Sequence, residues 1–203
     1  MSNDPLSRRK LVLLATLFEG GLGVLAAALG WLAGRMPFQS LHWDAFDIFW
    51  GVAATIPMLL LFLICVRFPV GPLRRIEEFC DEVVKPLFHK CSTVEIGCIS
   101  LLAGLGEELL FRGVLQEIFR DWFGFWAAIV AVNVVFGLLH MITPAYAVMA
   151  ALLGVYLSGL MIWRENNLLV VIVAHGLYDF VAILYLVRGW RPGTTIQQDL
   201  PKS

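Results

Sequence analysis

Residues 104–113 read GLGEELLFRG, which sets two adjacent carboxylates, Glu107 and Glu108, and an arginine, Arg112, between long apolar flanks. On a helix Glu108 and Arg112, four residues apart, share a face, while Glu107 is turned about 100° away with Phe111 beneath it. Ionisable groups at membrane depth are costly and are functional by default. An isolated carboxylate there would take up a proton rather than stay charged. The coherent arrangement pairs Arg112 with Glu108 and leaves Glu107 facing a polar cavity. A purely structural network of the three groups fits the same residues.

The flanks of this stretch set the fold class. The chain has 203 residues, 59% hydrophobic and 15% charged, with a net charge of −1. A soluble domain of this size has too little interior for so many long apolar runs, whereas a polytopic helical membrane protein accommodates them directly. The expected fold is all-α: a transmembrane helical bundle of six spans forming a single membrane domain over residues 1–203. The spans are expected at 11–33, 46–66, 93–119, 123–140, 143–163 and 168–187, with Thr143 and Pro144 opening the fifth. The first run is too long for a signal-peptide core and is read as a mature span. Pro57 is expected to kink the second span. Gly30 and Gly34 have a spacing that permits close helix contact, as do Gly97, Gly104 and Gly106 in the third. Residues 72–90 have the apolar spacing of an interfacial amphipathic helix ending near Pro86; an ordinary solvated connection fits nearly as well.

Charge orients the bundle. With the N-terminus inside, the inner side carries Arg8, Arg9, Lys10, Arg67, Arg74, Arg75, Lys85, Lys90, Arg188, Arg191 and Lys202, and the outer side only Arg35, Arg120 and Arg164. Both termini are therefore expected in the cytoplasm. The basic residues form no broad patch, which gives no reason to expect a nucleic-acid partner. Cys65, Cys80, Cys91 and Cys98 lack the paired spacing of a zinc knuckle or a disulfide framework.

Two histidines extend the site. His140 closes VVFGLLH, one turn after Phe136, and His175 lies four residues before Asp179 in VIVAHGLYDFV. A neighbouring carboxylate can orient an imidazole and fix its tautomer. Depth is a difficulty: Glu107 falls near the middle of its span, and His140 near the end of its own. A tilt, a broken helix or a cavity open to the cytoplasm would reconcile them.

In order along the chain, Glu107-Glu108-x-x-x-Arg112, Phe136-x-x-x-His140 and His175-x-x-x-Asp179 resemble the three motifs of the CPBP family, which holds the type II CAAX prenyl endopeptidases and the bacteriocin-processing and self-immunity proteins. The resemblance covers about residues 93–187. It implies an intramembrane endopeptidase in which Glu107 and His140 activate a water, and His175 and Asp179 lie near the oxyanion. Glu108, Arg112 and Phe136 would support them. Asp179 stands where members carry Asn or Asp, and an ionised carboxylate there would repel an oxyanion unless it is protonated or bonded to His175.

Peptide hydrolysis requires a base, stabilisation of the tetrahedral intermediate and a proton donor for the leaving amine, and this residue set contains all three. No Gly-x-Ser-x-Gly elbow or His-Glu-x-x-His helix is present. A metal-free glutamic mechanism is therefore preferred and no cofactor is expected. Zinc held by Glu107, His140 and His175 is the alternative. Expected partners are the lipid bilayer and a peptide or membrane-protein substrate, including one processed at its C-terminus. The expected location is a bacterial cytoplasmic membrane. Two other readings stay open: a catalytically silent scaffold or immunity protein, and a proton-coupled transporter.

Overall fold

A computed structural model describes residues 7–189, and the helices in it alternate between two rims. Helix α1 (Arg8–Leu32) begins at a Ser7 cap. A short 3₁₀ turn, Pro37–Ser40, leads to α2 (Ala45–Arg67), capped by Asp44. The connecting segment is α3 (Leu73–Phe79), a π-helical turn Cys80–Val84 and α4 (Lys85–Phe88). Then come α5 (Thr93–Leu110), a second π turn Phe111–Leu115, and α6 (Gln116–Phe123). Helices α7 (Phe125–Leu139), α8 (Pro144–Trp163) and α9 (Leu168–Leu184) complete the bundle, with a last π turn at Tyr185–Gly189. Among the described residues there is no strand, so the all-α expectation holds.

Among the described residues, four helical segments are long and apolar enough to cross a membrane: Arg8–Leu32, Ala45–Arg67, Pro144–Trp163 and Leu168–Gly189. The other two expected spans differ from that pattern for separate reasons. At 15 residues α7 is about 22 Å long, short of a hydrocarbon core of about 30 Å. The third is continued past its charged stretch only by the π turn and α6. Large apolar side chains such as Leu13, Leu17, Phe18, Ile56, Leu60, Val130 and Leu152 face outward. An apolar exterior belongs in lipid, and the chain is an integral membrane protein.

The rims are fixed by polar contacts. At one, Arg8 pairs with Glu95 at 2.8 Å, joining the starts of α1 and α5. Ser92 and Glu95 form a reciprocal capping box there. At the other, Arg35 reaches Asp121 at 2.5 Å, and buried Asp47 binds Arg164 and Asn167, both at 2.6 Å. That cluster ties the start of α2 to the turn between α8 and α9. In this turn Glu165 and Asn166 take left-handed backbone, φ 56° and 61°. Arg67, Arg74, Arg75, Lys85 and Lys90 lie at or beyond the α2 end that shares a rim with Arg8. Arg191 and Lys202, and both chain ends, fall outside the described residues.

Several local expectations change. Helix α6 runs through Arg120–Trp122, where a polar connection was expected; the break is at Gly124, whose φ of 82° suits glycine. Gly30 makes no helix–helix seam: a Cβ there would meet the Arg35 carbonyl oxygen at 2.6 Å and Pro37 at 2.7 Å, so it admits the returning turn. Helix α4 carries Pro86 in its first turn and ends at Phe88, because the preceding π turn removes the need for a proline N–H. Ile76 and Cys80 pack the connecting segment onto Phe62, Cys65 and Met149. Burial pushes the Cys80 thiol up to about 12. Pro57 lies inside α2, which continues through it.

The tightest approach positions the site. A Cβ on Gly104 would lie 2.7 Å from the Gly176 backbone nitrogen and 3.0 Å from the Ile172 carbonyl oxygen. Backbone cannot yield as a side-chain tip can. Gly104→Ala is therefore expected to separate α5 from α9, lowering stability by roughly 1–3 kcal/mol and cutting activity with it. Thermal unfolding in detergent checks this, and an unchanged midpoint would refute it.

Candidate active site

Glu107 and Glu108 lie in the last turn of α5, ahead of the π turn, which inserts an extra residue into the helical ladder and re-aims the side chains beyond it. Arg112 sits inside that turn. Its Nη1 donates to Glu108 Oε1 at 3.0 Å, and both side chains are fully buried. Its guanidinium carbon lies 4.7 Å from the centre of the Phe136 ring. The pairing of Glu108 with Arg112, with Glu107 turned aside, matches the helical-face argument.

His175 from α9 joins them, its Nδ1 at 2.7 Å from Glu108 Oε1. Glu108 is ion-paired and so only accepts, which places a proton on His175 Nδ1. Its other nitrogen, Nε2, is 3.5 Å from Asp179 Oδ2 and 4.0 Å from Glu107 Oε2. Asp179 thus approaches the imidazole nitrogen opposite to the one Glu108 holds.

His140 stands at the C-terminal cap of α7, and its Nδ1 lies 2.8 Å from the Phe136 carbonyl oxygen. That oxygen can only accept, so Nδ1 carries the proton and Nε2 is turned inward, 3.8 Å from Glu107 Oε2. The Phe136 ring packs on His140 at 4.4 Å and edge-on to Phe111 at 4.9 Å. Glu107 and His140 nonetheless line the same cavity, which removes the depth difficulty.

These groups surround a cavity of about 110 Å³, lined also by Met58, Tyr146 and Tyr178. It is large enough for several water molecules. Glu107 Oε2 is buried and has no hydrogen-bond partner among the described residues. Gaps of 3.8 and 4.0 Å are too long for direct hydrogen bonds and suit a bridging water. All seven residues read from the sequence, Glu107, Glu108, Arg112, Phe136, His140, His175 and Asp179, meet in this one region. Among the described residues, no group of three His, Cys, Asp or Glu side chains has the geometry to hold a metal ion.

The sequence reading missed part of the surroundings. Asn133, Ser158, Gln116 and Gly154 contribute buried polar contacts around Arg112. Asn133 was detectable: it is a polar residue in an apolar helix, seven before His140 and so on the same face. Glu19, the one charged residue within the first apolar run 11–33, also lies close to the site. Its backbone carbonyl abuts Gly106, and its carboxylate is within electrostatic range of Glu107, Asp179 and His175.

No curated protein and no solved structure matched the chain. Residues 90–181, which run from just before α5 through Asp179, match the family described as Type II CAAX prenyl endopeptidase Rce1-like. With its motif residues gathered around one buried cavity in an apolar helical bundle, this stretch of the chain is similar to the Rce1-like type II CAAX prenyl endopeptidases.

Proposed function

We propose that the protein is an intramembrane endopeptidase that hydrolyses a peptide bond through a water activated by Glu107 and His140. The observation carrying this reading is that Glu107 Oε2, free of protein partners among the described residues, faces His140 Nε2 at 3.8 Å across the cavity. Both atoms are acceptors. A water held between them donates both hydrogens, so its lone pairs point toward a carbonyl carbon in the cavity. Glu107 takes the proton as the water attacks and passes it to the leaving amine. His175 in its doubly protonated form donates from Nε2 to the oxyanion, and Asp179 and Glu108 hold that imidazolium between them. Glu108, Arg112 and Phe136 keep the imidazoles in place.

The reaction needs no metal in this reading. Glu107, His140 and His175 have the chemistry of a zinc donor set but, among the described residues, not its geometry. The basic rim is assigned to the cytoplasm by the excess of Lys and Arg, which puts both termini on that side of a bacterial membrane. His140 and Tyr146, at the adjoining ends of α7 and α8, line the cavity toward the same rim. A substrate peptide or the end of a membrane protein would enter from there.

The test is cleavage of a diverse peptide library by purified protein in detergent, with and without a stringent chelator. Cleavage that survives chelation and disappears in His140→Ala supports the metal-free mechanism. Cleavage abolished by the chelator and restored by zinc moves the reaction to a metal site. Cleavage undiminished in His140→Ala sinks the proposed pair. Solute flux without cleavage would favour a proton-coupled carrier, and binding without either would favour a scaffold.

A further inference from the structure

Arg112 is fully buried, yet Glu108 satisfies only one edge of its guanidinium. The other edge, Nη2, donates to Asn133 Oδ1 and to the Gly154 carbonyl oxygen, each at 3.1 Å. The Asn133 amide in turn donates from Nδ2 to the Ile129 carbonyl oxygen at 2.8 Å and to Ser158 Oγ at 2.9 Å. Ser158 donates its hydroxyl proton to Gln116 Oε1 at 2.8 Å. Asn133, Ser158 and Gln116 are all buried.

The arginine forces the direction of the bonds as far as Asn133. Arginine can only donate, so the Asn133 oxygen must face it and the amide nitrogen must face α8. The Ser158 hydroxyl accepts from that nitrogen and has its single proton left for Gln116. Reversing Asn133 leaves a buried donor facing a donor. Space is equally restricted: a Cβ on Gly154 would lie 2.9 Å from Arg112 Nη2 and 3.1 Å from Asn133 Cγ. The chain runs from α6 through α8 and α7 to the π turn after α5, and through Glu108 it ends on His175 Nδ1.

We propose that Asn133, backed by Ser158 and Gln116, is a positioning residue of the active site: it fixes Arg112, and through Glu108 it holds the Nδ1 proton and the direction of His175. The proposal rests on the endopeptidase reading for its kinetic consequence, while its structural half stands on the bonds alone. None of the three residues lines the cavity, so each acts on the reaction through Arg112.

The experiment compares Asn133→Leu, Asn133→Asp and Ser158→Ala with the unaltered protein and with Glu107→Gln. Peptide cleavage is measured, together with the imidazole nitrogen shifts of His175 in protein labelled with ¹⁵N-histidine. His175→Gln assigns the signal. Asn133→Leu is expected to lower kcat on the order of 10- to 100-fold with KM little changed, and to lose the Nδ1-protonated signature of His175. Asn133→Asp keeps an acceptor toward Arg112 and is expected to recover most of that loss. Ser158→Ala shifts the same signal to a smaller degree and carries the test should Asn133→Leu fail to fold. A folded Asn133→Leu or Ser158→Ala protein with unaltered kcat and unaltered His175 shifts overturns the proposal. Loss in Asn133→Leu that Asn133→Asp does not recover, with His175 unaltered, also overturns it, because the effect is then general damage. Should Glu107→Gln cleave normally, the endopeptidase assignment of Glu107 fails, and the His175 shifts still decide whether the chain positions the imidazole.

Discussion

Glu107→Gln is expected to lower peptide cleavage by roughly 10²- to 10⁴-fold while leaving the fold intact. Glutamine has the size of glutamate but cannot take a proton from water at any working pH. The sparing of the fold follows from the surroundings of the side chain: Glu107 Oε2 has no protein hydrogen-bond partner among the described residues, so the exchange strands no other group. Glu108→Gln is the instructive contrast. Glu108 Oε1 accepts from both Arg112 and His175, and a neutral amide there would leave the fully buried Arg112 without its counter-charge. That variant is expected to lose stability as well as activity. The check is a pair of measurements on each variant, cleavage rate and thermal midpoint in the same detergent. Equal stability loss in both variants would contradict the separation of roles, and normal cleavage by Glu107→Gln would remove Glu107 from the mechanism.

Arg112→Met is expected to be the most destabilising single change at the site, at about 3–5 kcal/mol. Methionine approximates the length of the arginine stem and fills most of its space, so lost packing is a minor part. The larger part is electrostatic. Glu108, fully buried, would keep its charge with only His175 to answer it, and Asn133 Oδ1 and the Gly154 carbonyl would lose their donor. Removing both charges in Arg112→Met with Glu108→Met eliminates the uncompensated anion. The double variant is therefore expected to be less destabilised than the sum of its single changes, by roughly 0.5–3 kcal/mol. Both Arg112→Met and the double variant are expected to be inactive, the first because Glu108 loses the anchor that aims it at His175, the second because His175 loses its Nδ1 partner. Unfolding titrations of the two single variants and the double give the coupling directly; strict additivity would mean that the ion pair is not the unit that holds this region.

The helical class, the membrane setting and the residues that meet around the cavity were legible in the sequence because each depends on local chemistry. Apolar runs of about twenty residues fit few structures other than membrane helices. The spacing of Glu108 and Arg112 places them on one face of any helix, and the same holds for Phe136 with His140 and for His175 with Asp179. The caps at Thr143 and Ser92 were equally local, the first anticipated and the second present as an unread Ser-x-x-Glu.

How those faces meet was set by packing between helices distant in the chain. Whether Glu107 could reach His140 depended on where α5 and α7 lie around the cavity, and no local sequence signal records that. Which nitrogen of His175 meets Glu108, and which meets Asp179, follows from the close crossing of α5 and α9 at Gly104 and Gly176. Asn133, Ser158 and Gln116 lie on three different helices, at sequence separations of 17 to 42 residues by subtraction of their numbers. No periodicity links them. They became a unit because Arg112 is buried where three helices converge, and a buried guanidinium must find acceptors on whichever neighbours the packing supplies.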